Sequence, residues 1–509
     1  MSDRNDDAKA LRPAEKLANA HNWKHLARWN GEGFYELKTE DTGDVRVRLF
    51  FTPQLLEATE EILYRQIVNA TRFRGVRMVV ITPDAHYGYG VPVGCVLITD
   101  AAGGAVAMGP VGYDIGCGMM SARSGVGAEA ATPERRLEFN RAVMGRVNMG
   151  FGGKGMKLGR LSDGEFQNLV RGGAEYYVEK YGATFDRSHA ERHRIPVDDD
   201  WQIPYGGKGR PERGRDQLGS LGGGNHFIEL QRSSQTGTLF VQVHTGSRGF
   251  GHGLATNYFE LAREEHPELL KDIDLGYFTP ESRHYRDYLN AVAAGGNYAI
   301  LNRLVIFEQV SEAFREVFGE ELELVYEISH NLVQKEWHPE FGDVWVHRKG
   351  ATRAFPAGHP FLKGTVWEGT GHPVLIPGSN KDWSYILRPL AGAERSGFSV
   401  NHGAGRRISR GEANRTLSQR QMDDEYREAG VVVNADGRVP LDEAAPCYKP
   451  SEEVVAAVVG AGLAEIEHSL WPLASLKGVD ELKRGRRGKG GKPERKGGRA
   501  EGKKTSEHY

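Results

Sequence analysis

Cysteine is scarce: a chain of 509 residues carries three, Cys95, Cys117 and Cys447. So few thiols exclude a disulfide framework and point to a reducing compartment. Long apolar runs are missing too. The longest, Val454 to Ala464, falls well short of the roughly 20 residues that span a bilayer. Residues 1–25 are charged and lack the apolar stretch of a secretory signal, so a cytoplasmic protein is expected. No one sign of charge dominates; a formal net charge of -2 gives the whole molecule no bulk attraction for nucleic acid. There is also no Gly-x-x-x-x-Gly-Lys-Ser/Thr loop, so any nucleotide is held by other means.

What is present describes a globular protein: 39% hydrophobic and 26% charged residues, enough to build a core. Charge is unevenly spread. Residues 479–509 form a Lys/Arg/Gly tail that cannot bury enough apolar surface to offset chain entropy, and disorder is expected there. A solvated appendage is its expected role, and a weak, salt-sensitive grip on RNA phosphates is the alternative. Residues 1–44 read as a polar leader with one helix, and 45–478 as a single catalytic domain.

Thr52-Pro53 makes a helix start, with Leu55, Leu56, Ile62, Leu63 and Ile67 on its apolar face. Val76–Thr82, Val91–Ile98, Ala105–Met108, Thr238–His244 and Glu321–Ile328 read as strands, and Ser282 to Gly319 as a long helix. Val344–His347 is expected to pair with the strand that ends at Ile328. The glycine- and charge-rich segment 119–220 reads as a surface excursion with mobile loops. Irregular alternation without a fixed repeat predicts an α+β fold, with mixed sheets flanked by helices.

Five scattered fragments carry the chemistry: Asp114-Ile115-Gly116-Cys117, Asn225-His226, His244-Thr245-Gly246-Ser247-Arg248, His330-Asn331 and His402-Gly403-Ala404-Gly405-Arg406. One carboxylate, one thiolate and three imidazoles suffice to ligate a pair of divalent transition metals, with sulfur bridging. Each fragment alone is as well explained as an inert buried cysteine, a hydrogen-bonded core histidine or a glycine-rich loop. Their joint occurrence beside small or amide residues favours a site. At His402 a Gly-Ala-Gly turn and nearby arginines suit a phosphate, and the imidazole could attack phosphorus. A basic turn that merely binds anions is the alternative.

Nine collinear segments, PDAHYGYG (83–90), GYDIGCG (112–118), LGGGNHFIE (221–229), HTGSRGFG (244–251), SHNLVQKE (329–336), VHRKGATRA (346–354), IPGS (376–379), NHGAGRRISR (401–410) and SLKG (475–478), resemble the RtcB family of RNA-splicing ligases. The resemblance implies two Mn²⁺ ions, one on Asp114, Cys117 and His226, the other on Cys117, His244 and His330. It implies GTP as guanylyl donor and His402 as the guanylylated nucleophile. The nucleotide pocket it implies comprises Asn225, His226, Phe227, Ile228, Glu229, His330, Asn331, Pro377, Gly378, Ser379, Asn380, Ser384, Gly403, Ala404, Gly405 and Lys477. Arg248, Arg406 and Arg410 would bind RNA phosphate. The implied reaction joins RNA 3′-phosphate or 2′,3′-cyclic phosphate ends to 5′-hydroxyl ends in RNA splicing and repair. RNA, including transfer RNA, and an archease-type activator are the implied partners of a monomer or weak oligomer.

The chain departs from the family pattern after Ser379, where Asn380-Lys381 replaces the usual Met-Gly and Trp383 precedes Ser384. The acidic residue usual after Tyr448-Lys449 is also replaced, by Pro450-Ser451. The alternatives to a ligase are a capping enzyme that guanylylates 3′-phosphates without sealing, an idle RNA-binding paralogue, and a dinuclear metallohydrolase.

Overall fold

The computed structural model describes residues 16–150, 153–183, 185–189, 194–266 and 273–478; the basic tail lies outside them. The first helix start is built as its sequence suggests. Thr52 Oγ1 accepts from Leu55 N at 3.1 Å and Pro53 opens the helix Pro53–Ala58, where a missing N–H costs no bond. A second helix, Leu63–Ala70, follows and buries Leu63, Ile67 and Val68.

Two large sheets make up the α+β frame. The first runs Ala27–Trp29, Tyr35–Leu37, Arg46–Leu49, Val76–His86, Val93–Asp100, Gly342–Lys349 and Asn331–His338. The two strands at one of its edges, Ala27–Trp29 and Tyr35–Leu37, thus come from residues expected to form a polar leader. The second runs Glu323–Ser329, Gly118–Gly127, Thr238–Thr245, Phe227–Ser233, Ala464–Lys477, Ser384–Pro389 and Val374–Ile376, with Val432–Val433 beside Ala464–Lys477. Val80, Val96 and Val344 of the first sheet share a core with Val374, Ile376 and Leu387 of the second. The largest core gathers Leu301, Leu304 and Val305 of the helix Tyr285–Phe318 with Met120, Val241 and Val243 of the second sheet.

Three expectations are corrected. Gly342–Lys349 does not pair with the strand ending before His330. At Ser329-His330-Asn331 the chain leaves one sheet for the other, and Asn331–His338 becomes the neighbour, with Val333 opposite His347. Nor is 119–220 a surface excursion throughout. Gly118–Gly127 is an interior strand, and Asp163–Tyr181 packs into the largest core through Phe166, Leu169, Val170, Ala174 and Tyr177. Glycines 172 and 173 dilute that helix's apolar stripe, which is why the sequence pattern understates it. The expected third strand shrinks to Val106–Ala107, paired with Tyr277–Phe278.

Candidate active site

Four adjacent strands of the second sheet bring their metal-type residues to one end. Gly118–Gly127 begins just after Cys117, Phe227–Ser233 just after His226, and Glu323–Ser329 stops just before His330. Pairing of Ser329 with Gly118, Gly118 with Thr245 and Phe227 with His244 aligns those ends. Antiparallel register therefore gathers side chains that are far apart in sequence.

The donor atoms converge in two groups that share one sulfur: Asp114, Cys117 and His226, and Cys117, His244 and His330. Cys117 Sγ lies 3.7 Å from His226 Nε2 and 3.3 Å from His244 Nε2, and His244 and His330 face each other Nε2 to Nε2 at 3.3 Å. His226 Nδ1 donates to Leu221 O at 2.9 Å and His244 Nδ1 to Asn225 O at 3.0 Å, which leaves each Nε2 lone pair turned towards the sulfur. Asp114 Oδ1 accepts from Ser247 N at 2.9 Å, and its other oxygen sits 3.1 Å from His226 Nε2. Burial, followed by the Asp114 charge, pushes the Cys117 thiol well up, and burial pushes His244 and His330 down. Such crowded lone pairs repel one another unless a cation lies among them, and a divalent ion would displace the thiol proton. The donor set therefore fits two first-row divalent ions that share a thiolate.

His402 follows the short strand Ser399–Asn401, and Asp84 sits in Val76–His86 of the first sheet. His402 Nδ1 donates to Asp84 Oδ2 at 2.6 Å, and the same oxygen accepts His402 N at 3.0 Å and Gly403 N at 3.3 Å. Thr82 Oγ1 donates to Asp84 Oδ1 at 2.5 Å. Burial pushes the Asp84 carboxyl up, but these partners outweigh it and hold the group below its ordinary range. His402 Nε2 is thus left as the available nitrogen. The His402 ring lies 4.9 Å from that of His330, so this histidine and the donor cluster adjoin. Gly405 is required here: at φ +77° a Cβ would come 2.1 Å from Asp84 O.

One cavity of about 1260 Å³ collects these groups. It is lined by Asp114, Cys117, Asn225, His226, Phe227, Glu229, His244, His330, Asn331, Pro377–Asn380, His402–Arg406, Arg410 and Lys477. Burial, only partly offset by Lys477, Ser475 and Gln231, pushes Glu229 up to about 7. Lys477 lies 5.2 Å from the Phe227 ring centre and donates to Glu443 Oε2 at 3.1 Å.

Three residues singled out from the sequence stand off the cavity lining. Ile228 points into the largest core, since side chains alternate along a strand and Phe227 and Glu229 face the cavity. Ser384 sits behind the lining, its Oγ accepting from Gly378 N at 3.0 Å and Gln231 Nε2 at 3.1 Å. Arg248 is turned away, its Nε on Ser220 Oγ at 3.3 Å and its Nη2 on Gly150 O at 3.2 Å.

Three supporting residues escaped sequence reading. Asp84 was visible only as one member of the segment 83–90, with no role assigned to it. Arg303, fully buried against Glu327, donates to Gly116 O and Thr245 O at 2.8 Å each and to Ser329 Oγ at 2.8 Å. One guanidinium thereby ties the residues flanking Cys117, His244 and His330. Glu443 accepts from Lys477, Arg406 and Arg410 together. An isolated charge in a helix or turn gives no sequence signal of such a role.

A sequence model of the family described as "tRNA-splicing ligase RtcB" matches residues 66–478. A tRNA-splicing ligase RtcB of Pyrobaculum aerophilum is 36% identical over 466 residues, covering 85% of this chain and 95% of its own. That of Thermococcus kodakarensis is 35% identical over 461 residues, covering 85% and 94%. An RNA-splicing ligase RtcB of Mycobacterium tuberculosis is 36% identical over 442 residues, covering 81% and 100%. With ligand cluster, histidine and collinear motifs all inside the matched span, this chain belongs to the RtcB family.

Proposed function

We propose that the chain is a GTP- and Mn²⁺-dependent RNA ligase, with residues 45–478 as its catalytic domain. It joins RNA 3′-phosphate or 2′,3′-cyclic phosphate ends to 5′-hydroxyl ends, and cyclic ends are first hydrolysed to the 3′-phosphate. The observation that carries this reading is His402, held through Nδ1 by Asp84 at 2.6 Å beside two donor triads that share Cys117. Asp114, Cys117, His226, His244 and His330 would hold two Mn²⁺, which when bound supply charge neutralisation for the triphosphate and its leaving group.

The chain's own residues account for the rest. His402 Nε2 attacks the α-phosphorus of GTP; a P–N bond forms, the bond to the pyrophosphate oxygen breaks, and pyrophosphate leaves. Asp84 stabilises the positive charge that develops on the ring. An oxygen of the RNA 3′-phosphate then takes the guanylyl group, the P–N bond breaks, and His402 is free again. The 5′-hydroxyl attacks the activated 3′-phosphorus, loses its proton and expels GMP. Glu229 suits the N1 and N2 donors of guanine, Lys477 an acceptor on the base, and Arg406 and Arg410 phosphate oxygens.

Incubation of the full chain with α-labelled GTP and Mn²⁺ should leave acid-labile label on the protein, and His402→Ala should abolish it. Absence of label on the unaltered chain refutes the reading. The replaced loop at Asn380–Trp383 favours one second reading, an enzyme that caps 3′-phosphates and stops there. Capped RNA that accumulates without joined product in the presence of 5′-hydroxyl ends would establish it.

A further inference from the structure

We propose that His86 tells RNA from DNA: its Nε2 accepts a hydrogen bond from the 2′-hydroxyl of the nucleotide that carries the 3′-phosphate. This rests on the reaction proposed above. His86 ends the strand Val76–His86, is half-buried, and lines the cavity beside His402. The two rings are nearly parallel, with 24° between their planes and 6.4 Å between their centres. Asp84 sets the tautomer of both. Its carboxylate takes the Nδ1 hydrogen of His402 at 2.6 Å, and its backbone carbonyl lies 3.0 Å from His86 Nδ1. A carbonyl can only accept, so His86 Nδ1 carries the hydrogen and Nε2 the lone pair. Burial, with help from His402 and Lys449, pushes His86 down to about 3, which keeps its ring neutral. Nε2 meets no hydrogen-bond partner among the described residues, and unlike Nε2 of His359 it is not sealed inside the protein. An open acceptor therefore stands in the cavity next to the reacting nitrogen.

A neutral acceptor is useless to a phosphate and calls for a donor. Phosphate oxygens are themselves acceptors, and Arg406 and Arg410 on the cavity wall suit them. The donors that reach this centre are hydroxyls: those of the GTP ribose, the 5′-hydroxyl end and the RNA 2′ position. GTP with its base at Glu229 and its α-phosphorus at His402 keeps its ribose between the two, on the side of the second sheet that supplies Phe227 and Glu229. His86 belongs to the first sheet, which also sends Lys349 to the lining. The nucleotide leaves this stretch of wall to the RNA 3′ end, which has to meet the guanylyl phosphorus from another side. On that end the 2′-hydroxyl is vicinal to the attacking phosphate, so a donor arrives beside His402 whenever the phosphate is in place. The 2′-hydroxyl is also the group by which a site distinguishes RNA from DNA.

The test loads the full chain with labelled GMP, removes GTP, and follows transfer of label to RNA oligonucleotides that end in a 3′-phosphate. Their 5′ ends are phosphorylated, so no 5′-hydroxyl is present and no sealing occurs. They differ only in the last sugar, which carries hydroxyl, hydrogen or fluorine at the 2′ position. The unaltered chain should need roughly tenfold more of the hydrogen and fluorine ends for half-maximal transfer, as one lost hydrogen bond allows. Fluorine, which has no hydrogen to give, separates donation from fit. His86→Phe should use all three ends alike, and His86→Gln, whose amide oxygen can accept in place of Nε2, should restore part of the preference. A merely structural role would slow all three equally and leave their ratio untouched. Equal use of the three ends by the unaltered chain, or a preference that His86→Phe keeps, overturns the role of His86 and leaves the guanylylation reading standing. A preference found instead as poor labelling by 2′-deoxy-GTP, and lost in His86→Phe, assigns Nε2 to the nucleotide ribose and also overturns it. Unaltered chain that takes no label overturns both this inference and the reading beneath it.

Discussion

Replacing Asp84 by asparagine removes one charge from behind His402 and little else. The asparagine carbonyl can take the place of Oδ2, where it still accepts from His402 N, Gly403 N and His402 Nδ1, now at 3.0, 3.3 and 2.6 Å. The new amide nitrogen then faces Thr82 Oγ1, a hydroxyl able to accept as well as donate. Fold and tautomer should survive. The response to charge should not. As Nε2 bonds to phosphorus the ring turns cationic, and a fully buried carboxylate directly behind it becomes a neutral amide. Loss of one partner from a buried ion pair costs about 3–5 kcal/mol. Part of that is felt only in the transition state, so guanylylation should slow by roughly 10²–10³-fold. Single-turnover labelling with α-labelled GTP measures the rate, and thermal unfolding confirms the fold. A folded Asp84→Asn chain that labels within about threefold of the unaltered rate, less than about 0.7 kcal/mol, would refute the reasoning.

Other perturbations have definite expected outcomes. Cys117→Ser should lose bound Mn²⁺ by metal analysis, and activity with it, because a hydroxyl is a poor substitute for a bridging thiolate. Arg303→Met should keep the helix packed yet loosen the ends around Cys117, His244 and His330; metal content should fall by an order of magnitude, roughly the effect of disturbing groups that orient ligands. Glu443 is pushed up by burial but held down to about 2, against an ordinary 4.5, by Lys477, Arg410, Arg406 and Tyr448. Its contribution, about 3 kcal/mol for a displacement of that size, is present above its unfolded value and lost as pH falls through 4 towards 2. Glu443→Gln should therefore unfold more readily at pH 7, and urea titrations should show the gap closing below pH 4. Truncation after Gly478 should leave guanylylation intact and weaken RNA binding at low salt; collapse of labelling would show the tail to be structural.

Much of the site was legible because metal chemistry restricts residue type: Asp114, Cys117, His226, His244, His330 and His402 each carry a donor that few other residues supply, in glycine-punctuated motifs. The strand expected over Val76–Thr82, which in fact runs on to His86, and the helix Tyr285–Phe318 were legible from apolar runs and periodicity. Partnership was not. Which strand lies beside Gly342–Lys349 depends on the chain crossing sheets at His330, and no local pattern encodes that choice. The same limit hid Asp84, Arg303 and Glu443, ordinary residues whose roles arise only from what lies opposite them. Ile228 faces the core and Arg248 turns from the cavity for a related reason: strand alternation and packing orient side chains, and motif membership does not. The sequence by itself determined the donors and the family they mark. Only the tertiary structure decided their orientation, because hydrogen-bond direction and burial are set by contacts between segments hundreds of residues apart.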